Sequence, residues 1–138
     1  MKQLTVFLEN REGSLNDALS TLSENKINII SLSLAETTDY GLLRLIVSNP
    51  AEAKDILKAE GFSAHLSDVV AVKLPHVAGS LHSAIKVLSD KNINIEYMYA
   101  LCTKTDEAAI VIKPADIECA NTELRNAGFE FFTDGDTF

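Results

Sequence analysis

The chain has 138 residues, the length of one ordinary domain, and a formal charge of −8. Both halves carry the acidic excess, six Lys/Arg against nine Asp/Glu up to Ser67 and six against eleven after it, so the surface repels phosphate backbones and anionic lipid. Nucleic acid and membrane are thereby excluded as partners, and with neither an apolar leader nor an apolar run long enough to cross a bilayer, a cytoplasmic protein is expected.

In chain order, the period-two run from Leu4 to Leu8 predicts a first strand, and the loop Glu9 to Glu12 follows it. Gly13 and Ser14 open a helix whose Leu15, Leu19 and Leu22 fall on one stripe, with small Ala18 between them where a helix can approach a sheet closely. Ile27 to Ala35 reads as a second strand. Its expected inward residues, Ile29, Leu32 and Leu34, are unevenly spaced, which asks for a bulge near Ile30 or Ser31. A polar turn at Glu36 to Tyr40 leads into the strand LLRLIVS. Asn49, Pro50 and Glu52 then spell a capped helix start, Ala53, Ile56 and Leu57 its buried face, Gly61 its stop, and Phe62 to Leu66 a fourth strand.

The same order is then written again. GSLNDALSTLSENKINIISLSL from Gly13 and GSLHSAIKVLSDKNINIEYMYA from Gly79 are identical at nine of twenty-two positions with a constant offset of sixty-six residues. The second copy predicts a strand at Val69 to Leu74, a loop at Pro75 to Ala78, and a helix from Ser80 carrying Leu81, Ile85 and Leu88. After it come a strand at Ile93 to Thr103, a turn at Lys104 to Glu107, a strand at Ala108 to Lys113, a helix at Asp116 to Ala127, a closing strand at Phe129 to Phe132, and a frayed acidic tail from Thr133 to Phe138. Only Ser67 and Asp68 separate the copies, giving modules 1–68 and 69–138. Each is βαββαβ, an α+β ferredoxin-like unit with an antiparallel sheet and its helices on one face.

That fold does not name a function. Ser14 and Ser80 have no histidine repeated beside them, and His65, His76 and His82 have no counterparts in the other copy, so no catalytic residue is expected. Cys102 and Cys119 lack ligand spacing, so they are expected as reduced structural thiols, with no metal and no cofactor. A metal-chaperone version of the fold would need cysteines in the first loop, and an RNA-binding version aromatics on the central strands and a basic face. Tyr97 and Tyr99 stand in the wrong strand for the latter.

The glycine loops offer something else. A helix starting at glycine presents unpaired amides and the positive end of its dipole, which attract a carboxylate, while Asn28 and Asn94 offer a carboxamide at matching places in the second strands. Two readings stand equal on residue chemistry: a cradle for the α-carbon end of a free amino acid, or a packing glycine with an asparagine that caps a turn.

The pattern NREGSL, helix, KINI, strand, with its second copy PHVAGSL and KNINI, resembles the ACT domain, the regulatory module attached to many enzymes of amino-acid metabolism. Asn10, Gly13, Leu15 and Asn28 match in the first copy and Gly79, Leu81 and Asn94 in the second, whereas Glu12 and Ala78 replace the family's usual proline and His76 replaces the asparagine. The resemblance implies side-by-side pairing of the modules into an eight-stranded sheet. It also implies ligand sites in which Asn10, Glu12, Gly13, Ser14 and Leu15 face the strand starting Asn94-Ile95, and His76, Gly79, Ser80 and Leu81 face Asn28-Ile29. The expected protein is therefore a non-catalytic, homodimeric regulator sensing a free amino acid between its domains. The alternative is a regulatory subunit or interaction module of an amino-acid biosynthetic enzyme with empty loops, in which Tyr97, Tyr99, Ser31 and Ser33 form the contact.

Overall fold

The computed structural model describes residues 1–37, 39–104 and 107–136. Parts of both hairpin turns, at Thr38 and at Thr105–Asp106, and the tail residues Thr137 and Phe138 lie outside the described residues.

The elements run β1 (Lys2–Glu9), α1 (Ser14–Glu24), β2 (Ile29–Glu36), β3 (Tyr40–Val47), α2 (Pro50–Ala59), β4 (Ser63–Asp68), β5 (Val70–Leu74), α3 (Ser80–Asp90), β6 (Ile95–Leu101), β7 (Ala108–Pro114), α4 (Ile117–Asn126) and β8 (Phe131–Phe132). The strands form two four-stranded sheets, ordered β2-β3-β1-β4 and β6-β7-β5-β8. Each unit is a ferredoxin-like βαββαβ module. One comprises Lys2–Ser67, and the other is Asp68–Phe138 together with Met1, whose carbonyl accepts from Val69 N at 3.1 Å.

In the first module Leu4, Val6 and Leu8 of β1 and Leu43 and Leu45 of β3 meet Ala18 and Leu22 of α1 and Ala53 and Leu57 of α2. The second module repeats this with Val70, Val72 and Leu74 against Ala84, Leu88, Ala120 and Leu124. Alanine at the centre of each helix stripe is fully buried, so the helix backbone lies close over the sheet.

All four helices end the same way. A residue in the left-handed region, Lys26 (φ 60), Gly61 (φ 89), Asn92 (φ 56) or Gly128 (φ 89), turns the chain, and the next amide donates back to Leu22, Leu57, Leu88 or Leu124. Asn49 caps α2 by accepting from Glu52 N, and its own amide donates to the Glu52 carboxylate at 2.7 Å.

β2 departs from expectation. The bulge is present between Ile29 and Ser31, but Leu32 and Leu34 are half exposed while Ser31 is buried. Leu32 and Leu34 pair with the core residues Leu45 and Leu43 and so lie on the helix-bearing face. They stay exposed because β2 is the edge strand and the helices pack over the strands inside it.

Candidate functional site

Both first helices of the modules start at a glycine held at positive φ, Gly13 at 83° and Gly79 at 88°, and neither has a side-chain cap. A Cβ on either glycine would meet nothing within 4 Å, so the backbone conformation and not crowding requires glycine there. Ser14 N donates to Arg11 O, and Ser80 N to Val77 O, while Asp17 N and Ser83 N donate to the glycine carbonyls. The amides of Leu15 and Asn16, and of Leu81 and His82, are left with no acceptor among the described residues.

The two copies differ one atom further on. Ser80 Oγ donates to Val77 O at 2.9 Å and is satisfied. Ser14 is only 4% exposed, yet its hydroxyl has no hydrogen-bond partner among the described residues. No polar side-chain atom sealed from solvent lacks a partner among the described residues, so this hydroxyl is itself open to the space beside it. Ser14 lines two depressions of the first module, one of about 320 Å³ and one of about 650 Å³.

Arg11 lines both as well. Its Nε donates to Glu9 Oε2 at 3.1 Å, its Nη2 to Asp17 Oδ2 at 3.4 Å and its Nη1 to the carbonyl of Glu12 at 3.3 Å. The hydrogen bond to Glu9, and after it the one to Asp17, raise the guanidinium pKa above its already high ordinary value. The smaller depression runs from Asn10, Arg11, Ser14 and Leu15 to the end of β2, Leu34 to Glu36, and the start of β3 at Tyr40 and Gly41. Thr37 fixes that hairpin end, its hydroxyl donating to Tyr40 O at 2.7 Å. In the second module a depression of about 630 Å³ joins His76 to Leu101, Thr103 and Ala108, the matching end of its edge hairpin.

The remaining anticipated residues lie elsewhere. β1 and β2 both run antiparallel to β3 and hence parallel to each other, so Asn10, after the end of β1, and Asn28, before the start of β2, are at opposite ends of the sheet. Eight strand residues separate those ends, roughly 25 Å. Asn28 is held through its backbone, donating to Ser48 Oγ at 3.1 Å and accepting from Ser48 N at 3.0 Å, and Asn94 O accepts from Ala115 N at 2.9 Å. Both asparagine side chains are exposed, and Ile29 and Ile95 are half-buried against their own cores. Within a module, therefore, the glycine loop meets the end of the second strand and not the carboxamide at its start.

Arg11, Tyr40 and Leu34 were not anticipated at this site. The clustering of Glu9, Glu12 and Asp17 around one arginine was the available signal for the first. The other two follow from hairpin register, which a single sequence leaves open. Cys102 is exposed and Cys119 half-buried, both as free thiols. Among the described residues no group of His, Cys, Asp and Glu is disposed to hold a metal ion, and no helix is long and apolar enough to cross a membrane.

A family model described as "ACT domain pair" matches residues 1–136. The crystal structure of protein BT0572 from Bacteroides thetaiotaomicron is similar at 35% identity and TM-score 0.90, over 98% of this chain and 93% of that one. The regulatory subunit of aspartate kinase from Thermus thermophilus, in its ligand-free form, shares the fold at 18% identity and TM-score 0.63, over 92% of each chain. The corresponding subunit from Thermus flavus does so at 18% identity and TM-score 0.61, over 90% of this chain and 88% of that one. No curated protein matches the sequence.

Proposed function

Because the chain belongs to the family of ACT domain pairs, we propose that it is a non-catalytic cytoplasmic regulator that binds a free amino acid at the glycine loop of its first module. The observation that carries this reading is the hydroxyl of the nearly buried Ser14, unpartnered among the described residues, beside the open amides of Leu15 and Asn16. A carboxylate seated there would accept from all three, with the helix dipole adding to the attraction. Asn10 and Glu36, on the walls of the same depression, supply oxygen acceptors for the ammonium group. The second loop, with His76, Gly79, Ser80 and Leu81, is the weaker site of the proposal, since Ser80 is already satisfied. Asn28 and Asn94, with Ile29 and Ile95, enter the proposal only as groups that another module, of this chain or of a second copy, would present to a loop.

A thermal-shift panel of the twenty amino acids tests it. A ligand present at about a hundred times its dissociation constant adds roughly 2.7 kcal/mol to the native state, which moves the midpoint by several degrees. An unchanged midpoint across the panel contradicts the proposal.

One observation favours a second reading, that of a subunit working by protein contact. Leu32 on edge strand β2 and Met98 at the same place on β6 are large exposed apolar side chains, with Leu34 exposed beside Leu32. Under that reading the chain copurifies with an enzyme of amino-acid metabolism without added ligand.

A further inference from the structure

The two depressions of the first module share Leu8, Glu9, Arg11, Ser14 and Tyr40 as walls, so they adjoin each other at these residues. The smaller one is lined by Ser14 and Leu15, the first two residues of α1. The larger one is lined by four acidic residues, Glu9, Asp17, Asp39 and Glu60, with Arg11 as the one cationic residue of its wall. Glu9 and Asp17 are bonded to Arg11, which leaves Asp39 and Glu60 as carboxylates with no cation beside them in the depression. Aromatic rings complete the wall, with Phe7 and Tyr40 packed at 5.4 Å between centroids.

The second module shows what this site looks like without a charged purpose. At the places of Glu9, Arg11 and Asp17 it has Pro75, Val77 and Ser83, each sixty-six residues on, and at the place of Glu60, the residue before Gly61, it has Ala127 before Gly128. The fold is the same at both places, so the charges of the first depression are not needed to build a helix end or close a sheet. Carboxylates beside aromatic faces form the environment that holds an organic cation, through charge-assisted hydrogen bonds and attraction to the ring faces.

We propose that the amino acid bound at the first glycine loop carries a cationic side chain, a primary amine or a guanidinium, seated past Arg11 among Asp39, Glu60 and the rings of Phe7 and Tyr40. This rests on the amino-acid reading above and names the class of ligand for that site. The carboxylate end lies at the amides of α1 and the cation at the acidic end, so the ligand spans the two depressions with its charges matched at both.

Calorimetric titration of the full chain with lysine and arginine, and with the neutral analogues norleucine and citrulline, tests this directly. The expected result is binding of one or both basic amino acids at least tenfold tighter than its neutral analogue, with affinity falling as salt rises. Glu60→Gln and Asp39→Asn, both at exposed positions, should erase most of that preference. Equal or tighter binding of the neutral analogue, or a preference unchanged in both variants, overturns the cationic side chain and leaves the amino-acid site standing. Absence of binding by every amino acid overturns the site itself.

Discussion

Ser14 and Ser80 stand at the same position of the repeat, yet one hydroxyl donates to the carbonyl of Val77 at 2.9 Å while the other, in a residue only 4% exposed, has no partner among the described residues. A hydroxyl that makes no bond within the chain and is open to the space beside it adds little to folding stability and is left to bond a ligand. Ser14→Ala is expected to change the stability of the unliganded chain by no more than about 0.5 kcal/mol, and Ser80→Ala to lower it by about 0.5–1.5 kcal/mol. Urea unfolding of the two variants side by side checks the asymmetry. Equal losses would show that Ser14 is bonded after all.

Gly13 takes φ 83 with open space where a Cβ would go. Gly13→Ala should therefore cost about 1–2 kcal/mol through backbone strain alone, and Gly13→Asn distinctly less, because asparagine tolerates the left-handed region. Thermal unfolding of the pair separates strain from crowding, since crowding would make the larger asparagine the worse of the two.

The helix ends are one place where the chain falls short of its own best sequence. α2 and α4 place glycine in the left-handed position, whereas α1 uses Lys26 at φ 60. Lys26→Gly is expected to stabilise the first module by up to about 1 kcal/mol, and Asn92→Gly by less, read as a shift of the unfolding midpoint.

Much of this architecture was legible in the sequence, and the misses have one physical cause. The stripes of α1 and α3, the Asn49 cap and the repeat itself are local patterns, set by contacts within a few residues. Leu32 and Leu34 were read as core because periodicity reports which face of a sheet a residue takes. It does not report whether the strand lies under the helices or at the edge. Asn28 and Asn94 were singled out because they recur at an offset of sixty-six, each to face the glycine loop of the other module, but recurrence says nothing of what stands beside that loop in its own module, where the parallel course of β1 and β2 brings the end of β2 and not its start. Ser14 and Ser80 were expected alike at the two loops, and only the structure shows that one hydroxyl is bonded and the other is not.

Edge and core leucines should respond very differently to truncation. Leu57, fully buried between α2 and the sheet, is expected to cost about 2–5 kcal/mol as Leu57→Ala, and Leu32→Ser, half exposed on β2, less than about 1 kcal/mol. If instead Leu32→Ser alters sedimentation or gel-filtration behaviour, that side chain is covered in an assembly, as the interaction reading requires.

The most direct measurement is a proton-nitrogen correlation spectrum of the full chain titrated with the amino-acid panel. The account predicts that at least one amino acid moves the amides of Leu15 and Asn16 together, saturably, and that Ser14→Ala weakens the titration. Binding that leaves those two amides in place while resonances elsewhere move, or a panel that moves none, contradicts it.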